Sequence, residues 1–158
     1  MTQEQIMFKA SLEGCQQRIN KLRYSVEKNS HQFPVTAQSV NALTDEQEES
    51  IDALILRYSQ CVTMIQEQLF RGIAHLEQED ISDKSNRDKT LLMEKLGAIQ
   101  SAEAFGTAAV LRNKFSHHYP EVNASRIERL NMVMEEAHFV IASFEEITAY
   151  LSRKGFVA

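Results

Sequence analysis

One short segment concentrates the residue types that suit chemistry on a phosphodiester: Arg112-Asn113-Lys114-Phe115-Ser116-His117-His118-Tyr119. The guanidinium of arginine is a rigid fork of hydrogen-bond donors that matches the oxygens of a phosphate. Histidine titrates near neutral pH, so it can accept or donate a proton during a reaction. Arg112 and His117 are therefore the candidate catalytic residues, and the chemistry indicated is acid–base cleavage of a phosphate ester.

The spacing within this segment restricts how its side chains can meet. On an ideal α-helix Asn113 and His117 are four residues apart and share a face, so the amide can orient the imidazole. Arg112 and Tyr119 also align, because they are seven residues apart. Arg112 and His117, however, lie about 140° apart around the helix axis. Either the helix deforms before Pro120, or the pair is completed across a two-fold dimer.

A purely structural interpretation fits the same residues. Cations near the C-terminal end of a helix complement its dipole, and a tyrosine can pack as a lid over that end. The spacing alone slightly favours this interpretation, because arginine and histidine are common near helix ends.

The charge of the chain is distributed unevenly. A net charge of −5 argues against non-specific binding of nucleic acid over the whole surface. Residues 111–129 have the opposite balance, with four cationic residues against two glutamates: Arg112, Lys114, Arg126 and Arg129 against Glu121 and Glu128. The sequence therefore predicts a local basic patch around the candidate residues.

Hydrophobic periodicity predicts an all-α protein that forms a single domain over residues 1–158. Five helices are predicted, over residues 4–29, 44–76, 89–96, 102–117 and 125–151. Capping-box pairs mark three of the starts: Thr2 with Gln5, Thr44 with Gln47, and Ser125 with Glu128. Ser101 is the predicted cap at the start of helix 102–117, and Gly97 is the predicted stop of helix 89–96. Residues 30–43 and 79–88 are predicted loops.

Other features exclude several classes of protein and site. No apolar run is long enough for a membrane span, and the polar N-terminus is not a secretory signal, so we expect a cytoplasmic protein. Cys15 and Cys61 fall on apolar helix faces and are expected to be buried free thiols. Glu135 and His138 have di-iron spacing but no second such pair, and adjacent His117 and His118 make a poor metal pair. No metal or other cofactor is expected.

The segment from Leu111 to Pro120 resembles the motif of the HEPN superfamily, an arginine followed by four to six residues and a histidine. More narrowly it is similar to the HepT-like branch, whose pattern is Arg-x4-His-x-Tyr, commonly with asparagine after the arginine. The resemblance extends along residues 44–150, through three further stretches: Leu56-Arg57-Tyr58-Ser59 with Gln68-Leu69-Phe70, Met93-Glu94-Lys95-Leu96-Gly97, and Ser101-Ala102-Glu103.

The resemblance implies an antiparallel bundle of four to five helices that dimerises across the motif helix. It also implies a metal-independent endoribonuclease toxin, paired with a minimal nucleotidyltransferase antitoxin that silences it by modifying a tyrosine. Arg112 and His117 would be catalytic, Asn113 supporting, and Tyr119 the modification site. His118 stands where many relatives carry an acidic or small residue, and it adds a positive charge beside the site when protonated.

In the reaction that this implies, the 2′-hydroxyl of the RNA itself attacks the phosphate. Two His117 and two Arg112 would surround one groove of the dimer, with the imidazoles serving as base and acid. Lys114, Arg126 and Arg129 would guide the strand electrostatically. Two alternatives stay open: a non-catalytic partner that docks nucleotide or presents Tyr119 to the transferase, and a structural helical adaptor.

Overall fold

Helices make up most of the chain that the computed structural model describes, which is residues 2–117 and 123–157. The helices are α1 (Gln3–Asn29), α2 (Ala37–Asn41), α3 (Asp45–Met64), α4 (Phe70–Leu76), α5 (Asn86–Leu96), α6 (Ala102–His117) and α7 (Asn123–Arg153). A π-helical turn, Ile65–Leu69, joins α3 to α4 without a break, and a 3₁₀ turn, Ser30–Gln32, follows α1. The described residues contain no strand, so the all-α prediction is confirmed.

Local capping chemistry accounts for most of the helix ends. The Thr2 and Thr44 hydroxyls each accept from a backbone N–H of the first turn at 3.1 Å, as the predicted capping boxes require. Ser101 caps α6 through the N–H of Ala104 at 3.0 Å. Gly97 ends α5 with φ +89°, a left-handed conformation that costs glycine little. Those predicted helix boundaries are confirmed.

Three predicted boundaries are wrong. Residues 30–43 are not only loop, because Thr36 and Ser39 cap the short helix α2. Helix α5 starts at Asn86 instead of residue 89, since Ser85 accepts from the N–H of Asp88 at 3.1 Å. Ser125 lies inside α7 and does not cap it, because that helix already includes Asn123. A Ser-x-x-Glu pair in the first turn of a helix has the same spacing as a capping box, so sequence alone does not separate the two.

Contacts along the helices give their directions. Arg18 of α1 contacts Gln60 of α3, and further along α1 Asn29 contacts Ser50, so α1 and α3 are antiparallel. Helix α7 runs in the same direction as α3 and α4. Its early residue Arg126 pairs with Glu48, and its late residue Tyr150 donates to Glu77.

Helix α6, which carries the motif, packs antiparallel to α3 and α4. The rings of Phe105 and Phe70 lie 5.0 Å apart, whereas the later residue Arg112 contacts Gln66, which precedes Phe70 in the chain. One hydrophobic cluster receives side chains from all seven helices. This cluster fixes which face of α6 points inward and which is left for the candidate site.

Two further expectations concern the cysteines and the membrane. Cys15 and Cys61 are free and fully buried, as predicted, and burial raises the pKa of each thiol to about 12. Both therefore stay protonated and unreactive at neutral pH.

Within the described part of the chain, no helix combines the length and the apolar character that a membrane span requires.

Candidate functional site

Helix α6 is anchored to the core by the face opposite its exposed residues. Phe105, Ala108 and Leu111 are fully buried, and the hydroxyl of buried Tyr58 donates to the carbonyl of Ala108 at 2.6 Å. Arg112 follows the last of these buried positions and is half-buried. Its side chain therefore leaves the helix at the border between core and solvent.

Tyr58 acts as a structural anchor and not as an acid–base group. Burial raises its pKa far above the ordinary value for tyrosine, and the nearby carboxylate of Glu136 adds to that increase, whereas Arg112 opposes it. The phenol therefore stays neutral at physiological pH and keeps donating its hydrogen bond to α6.

The guanidinium of Arg112 is held by neutral acceptors on two sides. Its Nη1 donates to Gln66 Oε1 at 2.9 Å and to Thr63 Oγ1 at 3.3 Å. Its Nε and Nη2 donate to Asn113 Oδ1 at 3.3 and 3.0 Å. Among the described residues no carboxylate forms an ion pair with it. The group is thus oriented by hydrogen bonds while its positive charge is left uncompensated.

Gln66 is a site residue that the sequence reasoning missed. It lies in the π-helical turn between α3 and α4, and only 5% of its surface is exposed. A buried amide requires a hydrogen-bond partner, and here the partner is Arg112. A signal was present, because Gln66 stands four residues after Val62, on the apolar stripe of the second predicted helix. A π-helical turn is also a frequent feature of functional sites.

Asn113 has a partner that the sequence did not predict. Its amide oxygen accepts from Arg112, the adjacent residue, and so stabilises the guanidinium. The sequence instead suggested that this amide orients the imidazole of His117. The backbone of His117 belongs to α6, but its side chain lies outside the described part of the structure, so that suggestion stays a prediction. His118 and Tyr119 also lie outside the described residues.

The course of α6 bears on how Arg112 and His117 can cooperate. The helix continues through His117, and the Ser116 hydroxyl bonds to the carbonyl of Arg112 at 3.2 Å within it. Backbone positions 112 and 117 therefore keep a separation of about 140° around the axis. The helix is therefore not deformed between Arg112 and His117, which was one of the two alternatives that the spacing left open.

Arg112 borders two hollows on the surface. One, of about 950 Å³, lies between α5 and α6. Its charged lining residues besides Arg112 are Arg87, Lys114, Glu94 and Glu103, and it includes the exposed side chains of Leu91 and Val110. The other, of about 350 Å³, lies between α1, α3 and α6. This smaller hollow shares Ser59 and Ser116 with a third one, of about 620 Å³, beside Phe115. Neighbouring hollows therefore surround the C-terminal half of α6, and Arg112 lies on the border of two of them.

The basic patch that the sequence predicts is smaller than the count of cations suggests. Arg126 is paired with Glu48 at 2.9 Å, and its side chain is only 18% exposed. Its charge is thus largely neutralised within the protein. Lys114 is exposed beside Arg112 in the larger hollow and is available to a negatively charged ligand.

Comparisons of the chain with protein-family models, with curated proteins and with solved structures gave no match. Residues 111–120 and the surroundings of Arg112 are therefore what indicates a function for this protein.

Proposed function

We propose that this protein is a metal-independent endoribonuclease of the HepT-like HEPN kind, active as a homodimer, with Arg112 and His117 as catalytic residues. The observation that carries the proposal is the environment of Arg112. Its guanidinium is oriented by Gln66, Thr63 and Asn113, has no carboxylate partner among the described residues, and lies on the border of two hollows. A preoriented guanidinium of this kind favours a phosphate, whose oxygens complete its pairing.

The proposed reaction is an internal transfer at phosphorus. The 2′-oxygen bonds to the phosphorus as its proton passes to one imidazole, and the bond from phosphorus to the 5′-oxygen breaks as that oxygen takes a proton from a second imidazole. The products carry a 2′,3′-cyclic phosphate and a 5′-hydroxyl. Arg112 stabilises the charge that develops on the phosphoryl oxygens.

A homodimer supplies the second imidazole. In a symmetric groove between two subunits, two copies of His117 and two of Arg112 surround one phosphate, so one imidazole can serve as the base and the other as the acid. The outer surface beside this helix also favours association, since Val110 and Leu91 are 54% and 45% exposed. Apolar side chains grouped in this way are typical of a surface that is covered by another protein.

The proposal is tested by incubating the purified protein with a single-stranded RNA in excess chelator. We expect cleavage, with 2′,3′-cyclic phosphate and 5′-hydroxyl ends identified by mass spectrometry. The matched control is the same RNA with 2′-O-methyl groups, which lacks the attacking hydroxyl and should stay intact. Cleavage of the methylated RNA, or no cleavage of either RNA, would contradict the proposed chemistry.

Gln66 is expected to act as a positioning residue for Arg112. Replacing it by leucine keeps the side chain's size but removes the acceptor at 2.9 Å, so the guanidinium loses its main contact with the π-helical turn. We expect Gln66→Leu to lower the cleavage rate roughly 10- to 100-fold, since small misplacements of a catalytic group have effects of that order.

The control for that variant is Gln68→Leu, which makes the same replacement at an exposed position of the same turn. Gln68→Leu should cleave at the wild-type rate. Circular dichroism should show equal helix content in both variants. Equal cleavage rates for the two would mean that Gln66 has no role in positioning.

Regulation by a minimal nucleotidyltransferase is part of the proposal. It rests on the resemblance of the segment Arg112 to Tyr119 to the Arg-x4-His-x-Tyr motif of HepT-like proteins. A nucleotidyl group on Tyr119 adds bulk and negative charge close to the motif, which opposes binding of RNA. Incubation with the transferase and a nucleoside triphosphate should increase the mass of the peptide that contains Tyr119 and abolish cleavage. A Tyr119→Phe variant that is silenced equally well would show that this tyrosine is not the target.

A further inference from the structure

A second arginine shares the smaller hollow with Arg112. This cleft, of about 350 Å³, is lined by Arg18 of α1 and Arg112 of α6, and its remaining lining residues are uncharged: Ser59, Gln60, Thr63, Met64 and Ser116. The described residues that line it thus include two guanidinium groups and no carboxylate. The cleft is shallow and open to solvent, and its volume leaves room for a phosphate group.

The charge of Arg18 is as little compensated as that of Arg112. Its Nη1 donates to the amide oxygen of Gln60 at 3.3 Å, and within the described chain it makes no ion pair. Arg23 of the same helix shows the contrast, because it pairs with Glu145 at 2.6 Å. In a protein with a net charge of −5, two unpaired arginines in one cleft create a local site of positive potential.

We propose that this cleft is a phosphate-binding subsite in which Arg18 is the principal ligand-binding residue. Taken with the proposed function, it binds a phosphodiester of the RNA strand next to the one at Arg112, and the hydroxyls of Ser59 and Thr63 donate to the same group. The step is binding only, without any bond made or broken. It assigns a role to α1, which lies outside residues 44–150, where the likeness to HEPN proteins is found.

The experiment measures the salt dependence of RNA binding. A fluorescent 2′-O-methyl oligonucleotide, which cannot be cleaved by its own hydroxyl, is titrated with protein at several chloride concentrations. Arg18→Gln removes one phosphate contact, so we expect roughly tenfold weaker binding and a plot of log K against log[salt] that is less steep by about 0.7. Arg71→Gln makes the same charge change at an exposed position of α4 that lines none of the three hollows, and it should leave the slope unchanged.

A second variant keeps the test independent of whether Arg18→Gln folds. Ser59→Asp leaves Arg18 in place but adds a carboxylate to the cleft, and it should weaken binding to a similar degree. Wild-type affinities of both Arg18→Gln and Ser59→Asp for the oligonucleotide and for inorganic phosphate, with wild-type salt slopes and unchanged helix content, overturn the subsite.

A titration with inorganic phosphate shows whether the ligand of the cleft is free phosphate or the RNA backbone. Phosphate binding that is lost in Arg18→Gln, alongside unchanged oligonucleotide binding, supports the subsite and identifies free phosphate as its ligand. Loss of oligonucleotide binding in Arg18→Gln supports the RNA backbone. If the wild type binds RNA through Arg18 but cuts no RNA, the endoribonuclease proposal fails while the subsite stands.

Discussion

The Arg112→Ala variant should lose cleavage of RNA about 100- to 1,000-fold, which is the usual effect of removing one donor to a developing oxyanion. The loss should fall on the chemical step, because the charge on the phosphoryl oxygens increases on the way to the transition state. Arg112→Lys should recover little of the rate. A lysine keeps the charge but cannot contact Gln66, Thr63 and Asn113 as a planar fork does.

His117→Ala should lower the rate by roughly 100- to 10,000-fold, the range typical of general acid–base catalysis. Both rates are measured under single-turnover conditions in chelator, so that product release does not obscure the chemical step.

Two exposed residues provide matched controls for these variants. Arg71→Ala on α4 and His138→Ala on α7 remove the same side-chain types at exposed positions outside the motif and outside the three hollows, and both should cleave at the wild-type rate. Circular dichroism checks that helix content is unchanged in all four proteins. Normal cleavage by both Arg112→Ala and His117→Ala would remove the basis of the assignment.

What the sequence predicted well was the scaffold of the site. The start of α6 follows from Ser101, because capping chemistry acts over one helical turn. The inward face of α6 follows from the spacing of Phe105, Ala108 and Leu111. These features are local in the chain, so a single sequence contains them.

What the sequence did not predict were the partners of the charged groups. Gln66 is 46 residues from Arg112, and Glu48 is 78 residues from Arg126. Nothing in the local pattern shows that the first arginine is oriented by amides while the second is neutralised by a carboxylate. That distinction decides which cation can bind an anion, and it depends on how α3, α6 and α7 pack together.

If two subunits share one groove, as proposed, an inactive subunit should suppress an active one. After subunit exchange with a tenfold molar excess of the His117→Ala variant, only about one in eleven wild-type subunits keeps a wild-type partner. Mixed dimers have one imidazole in place of two and therefore lack either the acid or the base. Cleavage per wild-type subunit should fall about tenfold, measured with RNA in large excess so that the variant does not sequester the substrate.

The timing of mixing supplies the control. The same variant added immediately before the assay, without time for subunits to exchange, should leave the wild-type rate unchanged. If a tenfold excess of the variant has no effect on the rate after full exchange of subunits, each subunit contains a complete site. In that case the acid and the base that act on one phosphate do not come from two subunits, and the proposed shared groove is wrong. The mixing experiment therefore tests whether two subunits share one groove, whichever RNA is the natural substrate.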